Sequence, residues 1–166
     1  MEPVQIRVLS ALDQMGIRYD LISHPPASTI DECLAVQKSL RGVVPKNLFL
    51  TTRRSQDYYL CLVRPSAQFK SGEVSRQAGT SRLCFAPEQP LWELLCARPG
   101  SVSPMGLLFD TQRRVRLLVD GALRDEPRLI FHPCLNTFSL AMRGEDFFGV
   151  FLPATGHDVT WIEVTP

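Results

Sequence analysis

The feature that most constrains this fold is a pair of strand-like segments separated by a short polar run. Residues 47–52 and 58–63 are rich in residues that favour β-structure, whereas residues 53–57 are all polar or charged. Two such segments joined by so short a connection predict an antiparallel hairpin. The rest of the chain must therefore pack around this hairpin.

The segments that flank the hairpin alternate between helical and strand-like patterns. Val4, Val8, Leu12 and Met15 recur at helical spacing and predict a first helix that ends at Gly16. Further strands are predicted at 17–22, 83–86, 115–119, 129–131, 137–142 and 159–164, and further helices from Ser28 or Thr29 to about Leu40, around 91–95 and over 146–152. This mixed order predicts an α+β fold, in which a mixed β-sheet is flanked by helices.

Composition agrees with an ordinary globular domain. The chain has 166 residues, of which 45% are hydrophobic and 21% charged, and this balance excludes a disordered or collagen-like chain. At this length folding buries about 70% of the surface of the unfolded chain, which is enough for a core without disulfides or metals. No repeat or linker interrupts the sequence, so we expect one domain over residues 1–166.

The sequence offers no membrane or metal signal. No apolar run approaches the ~18 residues of a membrane span, and the first residues lack the basic end and apolar run of a signal peptide. The five cysteines are scattered and contain no CxxC pair, which predicts reduced thiols rather than a zinc site. We therefore expect a cytoplasmic protein without a metal, a cofactor or a membrane partner.

Charge is distributed unevenly along the chain. Residues 37–82 contain nine basic side chains and two acidic ones, a local charge of +7, although the whole chain carries only +1. Such a window is either a solvated face or a face that binds a polyanion. The window alone does not decide between them.

The first segment that could carry chemistry is the start of the second predicted strand. Lys46 and Asn47 place an ammonium and an amide before an apolar run. At a cleft these two groups would bind a phosphate or an ester carbonyl, one by charge and the other by directional hydrogen bonds. The alternative is a surface lysine at a strand start.

The second segment is a loop over residues 100–106. It contains Gly100, Ser101, Ser103, Pro104 and Gly106, a composition that brings backbone close to a ligand and fixes its N–H groups. A plain connection between a helix and a strand is an equally good interpretation.

The third segment places a histidine at the end of a predicted strand. His132 is followed by a turn that contains Cys134. A cysteine hydrolase is disfavoured, because residues two apart need a turn for their side chains to meet and no nucleophile elbow is present. His132 is therefore either a structural histidine or a group of a different site.

Five segments together resemble one known family. They are HPPASTIDE at 24–32, KNLFL at 46–50, LCFAPEQPLWELL at 83–95, PGSVSPMGLLFD at 99–110 and FHPCLNTFSL at 131–140. In this order they resemble the YbaK/ProX family of aminoacyl-tRNA deacylases, in particular its freestanding prolyl-tRNA editing branch. The resemblance implies a strongly curved mixed sheet and spans nearly the whole chain.

The resemblance implies a trans-editing enzyme that hydrolyses the ester of mischarged Ala-tRNA(Pro). A proline-activating enzyme excludes alanine poorly, because a smaller side chain enters a larger pocket at little cost. The implied reaction has no covalent enzyme intermediate, and a 2′-hydroxyl of the terminal adenosine helps to orient or activate water. Two alternatives remain: a deacylase for cysteine, serine or 2-aminobutyrate esters, and an inactive binding module for tRNA or a synthetase.

The resemblance also assigns candidate site residues. Lys46 is expected at the terminal phosphate or ester, Asn47 beside it, and the backbone of residues 101–106 at the oxyanion. The predicted catalytic residues are Lys46, Asn47, Gly100, Ser101, Gly106 and His132; the substrate-binding residues are Thr29, Phe49, Ser103, Pro104 and Met105; and the tRNA-binding residues are Arg53, Arg54, Lys70 and Arg76. The implied partners are the acceptor end of mischarged tRNA(Pro) and prolyl-tRNA synthetase.

Overall fold

The computed structural model describes residues 1–26, 30–54 and 57–166. The helices are α1 (Pro3–Gln14), α2 (Ile30–Leu40), α3 (Ser71–Ala78), α4 (Glu88–Leu95), α5 (Gly144–Asp146) and α6 (Leu152–Thr155), with a π-helical turn at Phe147–Phe151 and 3-10 helices at Pro104–Phe109 and Gly121–Leu123. The strands are β1 (Tyr19–Ser23), β2 (Lys46–Thr52), β3 (Tyr58–Val63), β4 (Leu83–Phe85), β5 (Val115–Asp120), β6 (Arg128–Phe131), β7 (Phe138–Arg143) and β8 (Val159–Ile162). The predicted α+β class is confirmed, whereas the predicted helix start at Ser28 or Thr29 lies outside the described residues.

The predicted hairpin forms the middle of the larger sheet. β2 and β3 pair antiparallel, with Lys46 opposite Val63 and Thr51 opposite Tyr58. All six residues of β3 are buried. A strand covered on both faces reads as a continuous apolar run, which is why this segment was visible in the sequence.

The strands divide between two sheets. The five-stranded sheet has the order β4-β2-β3-β5-β8, with parallel pairs β3-β5 and β5-β8, and the three-stranded antiparallel sheet has the order β1-β7-β6. The prediction of a mixed sheet holds for the larger one. The expected single, strongly curved sheet is not confirmed, because β1, β6 and β7 form a layer of their own.

Alternation along β2 sends neighbouring side chains to different cores. Phe49 lies in the main core, which also contains residues from α1, α4 and the smaller sheet, whereas Leu50 lies in a second core on the other face of the larger sheet. Successive side chains of a strand point to opposite faces. One strand therefore separates two environments, and residues at its start must fall on one side or the other.

Helix α3 was not expected from the sequence. It buries Val74 and Ser75 against the second core, and it ends at Gly79, which has a φ of +68°. Most of its residues are polar, so the helix lacks a clear apolar stripe for sequence analysis to detect. Its place in the fold depends on tertiary packing.

Candidate functional site

The main candidate site is a cavity at the seam between the two sheets. Just before β2, the Val43 N–H donates to the Arg128 carbonyl at 3.0 Å, and the Val43 carbonyl accepts from the Ile130 N–H at 2.9 Å. These two hydrogen bonds hold the residues just before β2 beside β6. The cavity has a volume of about 210 Å³ and is lined by Val44, Pro45, Asn47, Gly100, Val102, Ile130, Phe131, His132 and Ser139.

The imidazole of His132 is fixed by the strand opposite it. Its Nδ1 lies 3.0 Å from the Phe138 carbonyl oxygen and 3.5 Å from Ser139 Oγ. Because a carbonyl oxygen only accepts hydrogen bonds, Nδ1 carries the proton of the neutral ring. Nε2 is then an acceptor, and the described residues supply no hydrogen-bond partner for it.

A second histidine extends this hydrogen-bond network. Ser139 Oγ lies 2.7 Å from His24 Nε2, and His24 Nδ1 lies 2.7 Å from the Pro25 carbonyl oxygen. By the same reasoning His24 carries its proton on Nδ1, so the Ser139 hydroxyl donates to Nε2. The Ser139 oxygen is then free to accept from the His132 Nδ1–H. The chain from His132 through Ser139 to His24 fixes the tautomer and orientation of both rings.

The environment of His132 favours its neutral form. Burial lowers the pKa of His132 below its ordinary value of 6.5, the hydrogen bond to the Phe138 carbonyl raises it in part, and the nearby His24 lowers it. Burial dominates because desolvation penalises the charged imidazolium. The ring is therefore an acceptor rather than a cation at neutral pH.

Asn47 contributes an unsatisfied amide to the cavity wall. Its Nδ2 donates to the Pro45 carbonyl oxygen at 3.4 Å, whereas its Oδ1 is buried and has no hydrogen-bond partner among the described residues. A buried polar atom without a partner costs about 1–3 kcal/mol. At the wall of a cavity such an acceptor can be satisfied by a water molecule or by the donor group of a ligand.

The first half of the 100–106 loop lines the cavity. Gly100 has a φ of +89°, a conformation that favours glycine. The Ser101 N–H donates to the Arg98 carbonyl at 2.9 Å, so this N–H is unavailable to a ligand. Gly100 and Val102 both line the cavity, and no described residue accepts a hydrogen bond from either N–H group.

The second half of the loop is buried away from the cavity. The Met105 N–H donates to Ser103 Oγ at 3.1 Å, and the Gly106 N–H donates to the Ser103 carbonyl at 3.1 Å. Pro104 has no N–H group, and Met105 packs in the main core. A Cβ at Gly106 would collide with the Leu95 carbonyl, so this glycine lets the 3-10 helix pack on α4.

These contacts correct the predicted oxyanion donors. Of the backbone over residues 101–106, the N–H groups of Ser101, Met105 and Gly106 are already occupied, and Ser103 is completely buried. Only the N–H groups at Gly100 and Val102 combine a place on the cavity wall with a free donor among the described residues. The glycine-rich loop is therefore half binding surface and half structural support.

Lys46 lies beside the cavity but its side chain is directed elsewhere. Its ammonium donates to the Ala67 carbonyl oxygen at 2.9 Å, and Ala67 belongs to the second core. Pro45 and Asn47, its two neighbours, line the cavity, whereas Lys46 does not. Strand alternation explains this difference, because neighbouring residues face opposite sides of the sheet.

Two predicted substrate-binding residues remain to be placed. Phe49 is 4% exposed and stacks on Tyr58 with ring centroids 5.7 Å apart, so it is part of the main core rather than of the cavity wall. Thr29 lies outside the described residues.

The predicted tRNA-binding side chains are exposed, and none of them lines the cavity. Arg53 and Arg54 follow the last residue of β2, Lys70 immediately precedes α3, and Arg76 lies within α3. At ~3.3 Å per residue the seven-residue strand separates Arg53 from Asn47 by about 20 Å. The structure therefore does not bring these side chains to the cavity.

Cys134 is unsuited to nucleophilic catalysis. Its side chain is completely buried in the main core, and its Sγ lies 3.8 Å from the Leu95 carbonyl oxygen. Burial raises the pKa of this thiol to about 12. A thiol that stays protonated at neutral pH is a poor nucleophile, so the burial of Cys134 argues against a hydrolase that uses this cysteine.

Several cavity residues were not predicted from the sequence. They are Val44, Pro45, Ile130, Phe131 and Ser139, with His24 in contact through Ser139. The register of the β6–β7 hairpin contains a usable signal, because pairing Phe131 with Leu140 sets His132 across from Ser139. The remaining wall residues depend on how the two sheets meet, which no local pattern reports.

Comparison with known proteins places the chain in a family. The aminoacyl-tRNA editing domain matches residues 24–149. The chain belongs to the YbaK/ProX family of aminoacyl-tRNA editing domains. The matched range contains every residue that lines the cavity.

Relatives from bacteria and vertebrates cover almost the whole chain. The prolyl-tRNA editing protein ProX of Acetoanaerobium sticklandii is 29% identical over 157 residues, covering 95% of both chains. The prolyl-tRNA synthetase associated domain-containing protein 1 of Danio rerio is 33% identical over 159 residues, covering 93% of this chain and 85% of the relative. A solved structure of a protein proposed as a trans-editing enzyme for prolyl-tRNA synthetase superposes with a TM-score of 0.75 at 21% identity, covering 100% of this chain and 99% of the other, which supports the fold.

Two further searches bear on the range of possible chemistry. No helix among the described residues has both the length and the apolar character needed to cross a bilayer. Within the same part of the chain, no group of three or more His, Cys, Asp or Glu side chains is arranged to hold a metal ion.

Proposed function

We propose that this protein is a trans-editing aminoacyl-tRNA deacylase that hydrolyses the ester of mischarged Ala-tRNA(Pro). The observation that carries the proposal is the cavity wall, where His132, Asn47, Gly100 and Val102 line one space, and the Asn47 oxygen and the N–H groups of Gly100 and Val102 have no partner among the described residues. Membership of the editing-domain family and the editing activity in the name of the Acetoanaerobium relative support the same reaction class.

Asn47 binds the amino group of the substrate. An aminoacyl ester carries an α-ammonium group, which is a strong donor, and Asn47 Oδ1 is a buried acceptor that lacks a donor. A hydrogen bond to a charged group of this kind contributes about 1.5–3 kcal/mol. This contact would orient the ester carbonyl and favour substrates with a free amino group.

His132 acts on the water or on the hydroxyl that orients the water. Hydrolysis forms a bond between the water oxygen and the ester carbonyl carbon, then breaks the bond to the ribose oxygen, which takes up a proton. The neutral ring offers Nε2 as an acceptor for the hydrogen bond that positions the attacking group. The family resemblance gives the role of activating water to the 2′-hydroxyl of the terminal adenosine, so no protein nucleophile is required.

The N–H groups of Gly100 and Val102 stabilise the oxyanion. Negative charge develops on the carbonyl oxygen as water attacks, and fixed backbone donors bind this charge without reorganising. One such donor is typically worth about 3–4 kcal/mol in the transition state. The intraloop hydrogen bond from the Ser101 N–H to Arg98 holds the turn that presents these donors.

Lys46 binds the phosphate next to the ester. Its hydrogen bond to the Ala67 carbonyl joins a charged donor to a neutral acceptor at an exposed side chain. A phosphodiester offers the same ammonium an anionic acceptor, which adds charge–charge attraction to the hydrogen bond. This role requires the Lys46 side chain to leave Ala67 and turn around the start of β2 toward the cavity that Pro45 and Asn47 line.

The cavity, with a volume of about 210 Å³, is large enough for a small aminoacyl group. Alanine is the proposed substrate, because a site that complements a prolyl pocket must accept the smaller residue and reject the proline ring. Serine, cysteine and 2-aminobutyrate exceed alanine by one heavy atom each, and they are the competing substrates.

A panel of charged tRNAs tests the proposal. Purified protein is incubated with tRNA(Pro) carrying alanine, serine, cysteine, 2-aminobutyrate or proline, and release of the amino acid is compared with spontaneous hydrolysis. We expect many turnovers per enzyme with alanine and little with proline. Binding of the charged tRNA without turnover would contradict the proposal and indicate a binding module.

The wider setting follows from the same proposal. We propose that the 166 residues form one editing domain that acts in the cytoplasm on the acceptor end of tRNA(Pro), with prolyl-tRNA synthetase as a partner. The names of the vertebrate relatives support the association with a synthetase. The exposed Arg53, Arg54, Lys70 and Arg76 would contact phosphates of the acceptor stem, so affinity should fall as the salt concentration rises.

A further inference from the structure

A cleft beside the cavity has features of a second binding site. It has a volume of about 630 Å³ and lies between the start of α1, the end of α4 and the segments that carry Arg98 and Asn136. We refer to it as the Trp92 cleft. We propose that the Trp92 cleft binds the unpaired nucleobases that precede the terminal adenosine of the tRNA, an inference that rests on the proposed function.

The cleft adjoins the catalytic cavity along two chain segments. Arg98 lines the cleft and Gly100 lines the cavity, and likewise Asn136 lines the cleft and His132 the cavity. A Cβ built on Gly100 would lie 3.9 Å from Asn136 Nδ2, so the two segments approach each other at the boundary. A substrate whose ester occupies the cavity therefore has its next nucleotides beside the cleft.

The side chains of the cleft suit single-stranded RNA. Trp92 is 45% exposed, and the Arg98 guanidinium lies 4.5 Å from the centroid of its ring. Any nucleobase can stack on a flat aromatic group that is paired with a guanidinium, whatever the RNA sequence. The ion pair of Arg98 with Glu88, at 3.4 Å, is exposed and contributes little, so the guanidinium is free to contact a ligand.

A second cation completes the match to RNA. Arg7 lines the cleft and its guanidinium lies 4.6 Å from the Phe109 ring centroid. Arg7 and Arg98 provide charge for phosphates, although the carboxylate of Glu2 also borders the cleft. Bases that stack and phosphates that pair with guanidinium groups are the two components of an RNA strand. Arg53 and Arg54 lie too far from the cavity to contact the terminal nucleotides. We therefore assign them to the double-stranded stem.

Intrinsic fluorescence tests binding directly. The chain has two tryptophans, Trp92 and Trp161, and the second packs on Phe148 with ring centroids 5.2 Å apart. In a Trp161→Phe variant, an uncharged RNA oligonucleotide ending in CCA should quench the fluorescence of Trp92. The matched Trp92→Phe variant should show no quenching of Trp161. Unchanged fluorescence of Trp92 at saturating oligonucleotide would overturn the proposal and leave the cleft to a protein partner.

Kinetics separate this inference from the proposed function. We expect Trp92→Ala to lower kcat/KM for mischarged tRNA about 5- to 100-fold more than for a minimal 3′-O-alanyl-adenosine substrate, because one stacked base is worth ~1–3 kcal/mol. Trp92→Phe should restore most of the loss. If the wild-type protein hydrolyses neither substrate, the proposed function fails. If it hydrolyses both and Trp92→Ala affects them equally, only the nucleobase site is overturned.

Discussion

Two histidine sites in this protein use similar groups in different ways. At the cavity, the Nδ1–H of His132 is bound to the Phe138 carbonyl, whereas Nε2 has no partner among the described residues. At the other site, His157 Nε2 lies 2.9 Å from Asp110 Oδ2 and Nδ1 lies 2.9 Å from Thr155 Oγ1. The first ring keeps one nitrogen for a ligand, and the second commits both nitrogens to the fold.

The acceptors near the two rings also differ in how far their hydrogen-bonding capacity is used within the fold. Asp110 accepts hydrogen bonds from the N–H groups of Arg114 and Val115 at 3.0 and 2.8 Å, in addition to His157. Asn47, by contrast, has a buried oxygen at the cavity wall for which the described part of the chain supplies no partner. Unsatisfied polar atoms beside a cavity thus distinguish a candidate site from a structural network of the same composition.

Removal of the cavity histidine should have the largest effect on activity. We expect His132→Ala to lower kcat for the mischarged tRNA about 100-fold or more, as loss of a positioned proton acceptor typically does. The variant should stay folded, because the ring borders a cavity. Single-turnover deacylation measures the effect, and circular dichroism confirms the fold. A variant with near-normal turnover would assign His132 to the same structural class as His157.

Removal of the second histidine should act on stability instead. His157→Ala leaves the buried Asp110 carboxylate without one of its partners, which should lower the free energy of unfolding by about 3 kcal/mol. Chemical denaturation measures this loss. Activity per folded molecule should match the wild type. Equal stability of variant and wild type would show that the Asp110 network contributes nothing to the fold.

Substitution of Asn47 should lower activity and leave stability unchanged, which is the opposite of the result expected for His157. We expect Asn47→Ala to lower kcat/KM about 10- to 100-fold, because a hydrogen bond to the charged amino group of the substrate is lost. Stability should not fall, since the substitution removes a buried oxygen that has no partner. The wild type should discriminate against N-acetyl-alanyl-tRNA, and the variant should not. If the variant keeps this discrimination, Asn47 does not bind the amino group.

The sequence predicted those parts of the structure that depend on the residues of one short segment. The hairpin of β2 and β3 was visible because β3 is apolar along its length, and the family motifs brought Asn47, Gly100 and His132 into one proposed site. The side of β2 that each residue faces was not visible. Lys46 and Asn47 are adjacent in the sequence and diverge only because the two faces of the sheet pack against different cores.

Hydrogen-bond occupancy was equally invisible in the sequence. The loop motif indicated backbone donors, but only the folded chain shows that the Ser101 and Gly106 N–H groups are used internally. The contact of Ser139 with His24 joins residues 115 positions apart, which no local pattern records. Motifs therefore predicted several of the segments that line the cavity, and tertiary packing decided which of their atoms are available.

The smallest expected effect concerns Ser139, which touches the His132 ring and positions it. Ser139→Ala should lower kcat by only a few-fold, because loss of one long hydrogen bond is worth about 1 kcal/mol and the Phe138 carbonyl still holds Nδ1. The pH profile supplies a readout that a purely structural role would not change. Since His132 must be neutral to accept a hydrogen bond, activity falls as the pH drops through its pKa, which burial already places below 6.5.

Ser139 also lowers the energy of the imidazolium, because its oxygen accepts from the protonated ring. Without that acceptor the pKa of His132 should fall further, and the acid limb of kcat/KM should move to lower pH. His24→Gln retains an acceptor for the Ser139 hydroxyl, so its effect should be smaller, and the double variant should match Ser139→Ala rather than the sum of the two. An acid limb that stays in place in Ser139→Ala would mean that the hydroxyl has only a structural role, like the groups of Thr155 and Asp110 around His157.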